Sequence, residues 1–288
     1  MSKFLILLLC PVLLMGESLC EKSSPGTSLL FAEQGISSAV GTRYQQLAFM
    51  DCSAYFPQPL TPYNGFALER MCHSLMRCLN FGYKATLYEM GSIERTDTGI
   101  GFMHGISTTL IDCLRHSERI VEYAGGSKVQ FIYAETWGFC WDLWRTTRAY
   151  THIPIEPTRT LVQLWVSYFS EAPEEADYLM ICHSGGAIFV RNALDYLPEQ
   201  WRKRIHILAI APARYIDPSL CKSVIHYRVD ASRDDVPHYD VIGNWCYSDT
   251  IVTLESAEDA PQYDHLFDSP TYQNAIRETI LRYLKEDL

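Results

Sequence analysis

The chain predicts an α/β domain, a mainly parallel sheet with helices packed on both faces. Three observations predict it. From Gly99 onward, short apolar runs alternate with stretches of helical spacing, the rhythm of a strand–helix repeat. The run Tyr178–Cys182 is apolar at successive positions, as a strand buried on both faces requires. That run leads into a tight corner, His183-Ser184-Gly185-Gly186. Ile188, Val190, Ala193, Leu194 and Leu197 then recur at helical spacing until Pro198, which cannot continue a helix.

The elements follow in order. Residues 1–20 carry Lys3 and then an apolar stretch, Phe4–Met15, too short for a membrane span and suited to a signal peptide or a hydrophobic anchor. Cleavage is expected after Gly16 or Cys20; a lipid anchor on Cys20 would follow an unusually large Leu19. The Ser- and Gly-rich stretch 21–45 reads as a linker, leaving 46–288 as one domain. Leu47–Tyr63 mixes aromatics with Pro57, Pro59 and Pro62 and is expected to be irregular. Leu68, Met71, Leu75 and Leu79 predict a helix over Gly65–Leu79, and Tyr83–Met90 alternates as an early strand.

Ile100–Met103 is the next strand, followed by His104-Gly105-Ile106. A helix is predicted over Ser107–Tyr123, ended by Gly125-Gly126. Val129–Tyr133 is a strand, and Trp137, Phe139, Trp141 and Trp144 mark an aromatic-rich connection expected to pack as core or cap. Thr158–Ser170 predicts another amphipathic helix. After the Ser184 corner come strands at Ile205–Ala211, Val224–Val229 and Ile251–Leu254, and a closing helix at Tyr272–Leu284.

Composition bounds the function. The length of 288 residues and 48% hydrophobic content suit one substantial core. A formal charge of −10 argues against a nucleic-acid partner, which calls for a basic face. The cysteines form no C-x-x-C, and no H-E-x-x-H occurs, so no metal site is supported. Most cysteines sit among apolar neighbours, as buried thiols do, in tension with an oxidising compartment.

Chemistry enters through three side chains. A strand, a sharp turn with Ser at its apex and a helix are what a nucleophile elbow requires. The pattern G-x-S-x-G is met at Gly186, but Cys182 stands at the first glycine position. Strand Val224–Val229 runs into Asp230, Asp234 and Asp235, and strand Ile251–Leu254 leads to Asp264-His265. Ser184, Asp234 and His265, separated by 50 and 31 positions, have the chain order of α/β-hydrolases. Each lies past the C-terminal end of a predicted strand, the rim where open parallel sheets place their sites. His265 would take the Ser184 proton, and Asp234 would fix the His265 tautomer. Gly185 N–H and Ile106 N–H would receive the oxyanion. Asp235 competes with Asp234, and Asp230 does so more weakly. His183 adjoins the nucleophile but should point elsewhere, and His104 should shape its loop.

Over residues 83–288 the sequence resembles the α/β-hydrolase superfamily, and more closely an uncharacterised chlamydial family of hydrolase-like proteins. The resemblance is carried by Ile100-Gly-Phe-Met-His-Gly105, Met180-Ile-Cys-His-Ser-Gly-Gly-Ala187, Val190-Arg-Asn-Ala-Leu194, Val224-Ile-His-Tyr-Arg228, Arg233-Asp-Asp-Val-Pro237 and Asp264-His-Leu-Phe-Asp-Ser-Pro-Thr-Tyr-Gln273. That family often has Gln where this chain has Gly185, and Asn-Gly or a similar pair where it has His104-Gly105. The resemblance implies an α/β-hydrolase fold, favours Asp234 over Asp235 as the acid, and suggests a hydrophobic N-terminus and membrane association. It implies no substrate and no cofactor.

The expected function is hydrolysis of small-molecule or lipid esters, or of thioesters, through a seryl ester. The chain would be exported or held at a membrane by its N-terminal segment. The alternative is an inactive member of the fold that serves as a membrane-associated or host-interaction protein.

Overall fold

The computed structural model describes residues 34–36, 43–46, 84–150 and 155–285, all within one unit, Ala32–Leu288. The expected signal or anchor at 1–20, most of 21–45, the stretch 47–63 and the helix expected at Gly65–Leu79 lie outside the described residues.

The described strands are β1 (Gln34–Ile36), β2 (Arg43–Gln46), β3 (Ala85–Met90), β4 (Thr98–Met103), β5 (Val129–Ala134), β6 (Asp177–His183), β7 (Ile205–Ile210), β8 (Ser223–Arg228) and β9 (Ile251–Thr253). They form one sheet in the order β1-β2-β3-β5-β4-β6-β7-β8-β9. The run from β5 to β9 is parallel, while β3 pairs antiparallel with β5, and β2 and β1 extend that edge. The helices are α1 (Leu110–Tyr123), α2 (Phe139–Tyr150), α3 (Glu156–Glu171), α4 (Gly186–Leu194), α5 (Glu199–Arg202), α6 (Val241–Cys246) and α7 (Pro270–Tyr283).

Side chains alternate across β6, as strand geometry demands. Met180 and Cys182 join a core layer with Leu161 and Trp165 of α3 and Ile188 and Val190 of α4. Leu179 and Ile181 join the opposite layer with Cys113 and Leu114 of α1 and Ile276 and Ile280 of α7. Helix limits follow local chemistry. Thr109 caps α1 by accepting from Asp112 N–H, and Gly125 and Gly126 end it at φ 63° and 87°. Ser269 caps α7, with Pro270 in its first turn.

The connectivity sets where the connections part. After β4 the chain passes through α1 to β5 on one side of β4, whereas β6 lies on the other side and hands the chain on to β7. The connections therefore diverge above the C-terminal ends of β4 and β6, where doubly wound sheets bind ligands.

Four elements differ from expectation. The aromatic connection is a helix, α2. Its inward residues are Asp142, Arg145, Thr146 and Ala149, while Trp137 just before it and Trp141 within it are about half-exposed. An amphipathic pattern with a polar buried face carries no hydrophobic periodicity to read. The strands β1 and β2 lie in or overlap the stretch read as linker, too short to show an alternation. The helix after Ser184 ends at Leu194, and Leu197 packs from the turn that follows.

Candidate active site

Three strand ends supply the site. β6 ends at His183, and Ser184 follows at φ 51°, a left-handed conformation that costs a non-glycine residue roughly 1–3 kcal/mol. The surroundings hold it there. Ser184 N–H donates to Ile210 O (3.0 Å), while its carbonyl accepts from Ala187 N–H (3.2 Å) and Ala213 N–H (3.0 Å). Gly186 is demanded by space, because a Cβ there would lie 2.6 Å from the carbonyl oxygens of both Met103 and His104. Cys182 is fully buried in the layer beneath α4, so the first glycine of the elbow pattern is replaced by a small packed side chain whose thiol burial pushes up.

β8 is followed by a turn in which Asp230 O accepts from Arg233 N–H (2.8 Å) and Asp234 N–H (3.0 Å). The Asp234 carboxylate is wholly buried, with Oδ1 accepting from Val236 N–H at 3.0 Å. Its Oδ2 lies 2.7 Å from His265 Nδ1, and His265 Nε2 lies 2.8 Å from Ser184 Oγ. An ionised carboxylate only accepts, so Nδ1 carries the hydrogen and Nε2 is free to accept the serine hydroxyl. The structure thus brings Ser184, Asp234 and His265 into one line. Asp235 instead accepts from the hydroxyls of Tyr239 and Tyr263, and Asp230 accepts from Ser232 N–H.

Gly185 is the N-cap of α4, where main-chain N–H groups are left without helical partners. Ile106 lies against it: a Cβ on Gly185 would be 3.0 Å from Ile106 Cγ2. Gly105 must also be glycine, since its Cβ would lie 2.8 Å from Ser184 Cβ. His104 shapes this loop. Its Nδ1 lies 2.5 Å from Gly105 O, and its Nε2 accepts from Ala134 N–H at 2.9 Å. Burial lowers its pKa to about 4, so the ring is neutral.

Two supports escaped the sequence reading. Asp142 of α2, fully buried, accepts from Ser107 N–H (2.8 Å) and the Thr136 hydroxyl (2.6 Å), and pairs with Arg145 at 3.5 Å. It pins Ser107, which sits at φ 56° one residue beyond Ile106. A buried acid flanked by aromatics was its signal, masked by reading those aromatics as the packing face. The second is His183, whose Nε2 lies 2.7 Å from His265 O. Among the described residues, no group of three His, Cys, Asp or Glu side chains could hold a metal ion.

A family model described as "Protein of unknown function (DUF687)" matches residues 88–285. Among curated proteins, none matches the sequence. In structure the chain is similar to the LpqC poly(3-hydroxybutyrate) depolymerase from Bordetella parapertussis, with TM-score 0.43 and 12% identity over 71% of this chain and 90% of that one. It is also similar to carboxyl esterase 2 from the fungus Tuber melanosporum, with TM-score 0.45 and 10% identity over 70% of this chain and 82% of that one. Dienelactone hydrolase from Anabaena variabilis gives TM-score 0.41 and 13% identity over 70% and 92%.

Proposed function

The chain belongs to the DUF687 family and has an α/β-hydrolase-like fold, a family description that names no reaction, and we propose that it is a serine hydrolase of esters or thioesters. The observation that carries this reading is the unbroken pair of hydrogen bonds from Ser184 Oγ through His265 to Asp234, 2.8 and 2.7 Å long. A serine hydroxyl is a poor nucleophile until a base takes its proton. Here Nε2 of His265 takes it as Ser184 Oγ bonds to the substrate carbonyl carbon. Asp234 keeps the ring in the required tautomer and stabilises the imidazolium that forms.

In this reading the carbonyl oxygen becomes an oxyanion and accepts from Gly185 N–H and Ile106 N–H. Collapse of the intermediate breaks the bond to the alcohol or thiol, which leaves with the proton from His265. Water then repeats the sequence on the seryl ester, regenerating the hydroxyl and releasing the acid. About half-exposed Tyr263 and Leu266 flank His265, an apolar margin suited to small-molecule or lipid esters. Export or membrane attachment through residues 1–20 accompanies this proposal. N-terminal sequencing of the mature chain and alkaline extraction of membranes separate the two.

A fluorophosphonate probe and nitrophenyl esters of graded chain length test the reaction. The protein should be labelled at Ser184, and Ser184→Ala should lose labelling and at least about 10⁴-fold in kcat. A folded wild-type protein that takes up no probe and turns over no ester would favour a non-catalytic interaction role.

A further inference from the structure

One buried imidazole takes no part in the proton relay. His183 directly precedes Ser184, yet the Ser184 hydroxyl bonds His265, and His183 Nε2 lies 2.7 Å from the main-chain carbonyl of His265. A carbonyl can only accept, so Nε2 carries the hydrogen and Nδ1 is bare. The ring lies 5.1 Å from the His265 ring and 5.8 Å from that of Phe267, centre to centre. Its Nδ1 faces Gly105, where even a Cβ would come within 3.0 Å. One side chain therefore touches the nucleophile's strand, the base's loop and the loop beside the oxyanion donors.

We propose that His183 is a positioning residue, which sets the distance between nucleophile and base by donating from Nε2 to the His265 carbonyl; this rests on the hydrolase reading of the site. The loop between β9 and α7 has little regular structure, so His265 is placed by tethers. Asp264 N–H donates to Arg233 O at 2.8 Å. The Asp264 carboxylate accepts from the Ser269 and Thr271 hydroxyls at 2.5 and 2.6 Å. Those bonds tie the loop to the acid turn and to α7. Among the hydrogen bonds of the described residues, the His183 bond alone runs from β6 to the main chain of His265. Burial, and then the neighbouring His265, hold the His183 ring neutral well below the usual imidazole range. A cation is thus kept from standing beside a ring that must itself become positive in the transition state.

The test compares His183→Phe, which keeps the bulk and loses the donor, with His183→Gln, whose amide nitrogen reaches a similar point and donates. His183→Phe should lower kcat about 10- to 100-fold, because a displacement near 1 Å can cost about 100-fold. KM should stay within about twofold, and His183→Gln should recover most of kcat. Equal kcat for the two variants, or wild-type kcat in His183→Phe, overturns the proposal. Histidine-selective nitrogen NMR reads the same contact without turnover. The wild type should show His183 as the Nε2–H tautomer throughout the range in which a free imidazole titrates. The His265 Nδ1 proton should shift or broaden in His183→Phe. A protonated or Nδ1–H His183, or an unmoved His265 proton, overturns the positioning role whatever the activity. A shifted proton in a wild-type protein that neither labels nor hydrolyses supports the tether and overturns the hydrolase reading instead.

Discussion

Ser184 and His265 meet at 2.8 Å, but they are held there by different means. The nucleophile sits at the junction of β6 and α4, and its constraints are main-chain ones. They are the sheet pairing of His183 with Ile210, three backbone hydrogen bonds to Ser184, and the close approach of Gly186 to two carbonyls. The acid and base sit in turns beyond β8 and β9, where bonds from side chains add to a few main-chain ones. Val236 N–H seats Asp234, Asp264 braces its loop against Ser269 and Thr271, and His183 grips the His265 carbonyl. The difference teaches that one half of the site is built with the sheet and fails with it. The other half can lose function while the fold stands.

Four substitutions sharpen this contrast. Asp234→Asn should have the largest effect: the amide cannot hold His265 in the productive tautomer, and kcat should fall about 10⁴-fold. Asp235→Asn, one residue on, should leave turnover unchanged because its carboxylate accepts from tyrosine hydroxyls, while His265 bonds Asp234. Ester kinetics on both variants would break the contrast if the two behaved alike.

Gly186→Ala attacks the main-chain half. Its Cβ would meet two carbonyl oxygens at 2.6 Å, so α4 must shift from the end of β4. The expected cost is about 3 kcal/mol of stability, read by urea unfolding. A midpoint equal to wild type would show that the corner has room for a Cβ.

Asp264→Asn should have the smallest effect of the three that disturb the site. It weakens two charge-assisted bonds from Ser269 and Thr271, worth about 1–2 kcal/mol together. The base loop should loosen, with kcat falling about tenfold and the seryl hydroxyl still reacting slowly with fluorophosphonate. A larger loss of stability than for Gly186→Ala would reverse the comparison.

Legibility divides along the same line. β6 and α4 were readable because a doubly buried strand and an amphipathic helix each leave a local pattern, and the Ser-Gly-Gly corner between them has few conformations. Asp234 and His265 were readable as types at strand ends, although three aspartates competed in one turn. α2 was not readable as a helix, because it buries Asp142, Arg145 and Thr146 and leaves Trp141 about half-exposed. Hydrophobic periodicity reports what faces a core, and this helix turns a polar face inward to brace the loop that carries Ile106.

By itself the sequence determined the strand–helix alternation and the chain order of Ser184, Asp234 and His265. The alternation follows from burial, whose pattern each short segment records on its own. Only the tertiary structure decided that Asp234 rather than Asp235 faces His265, that Asp142 holds Ser107, and that His183 reaches the His265 carbonyl. Each of those bonds joins segments far apart in the chain. A polar side chain can accept or donate to many partners, and its own segment does not encode which of them the fold brings within 3 Å.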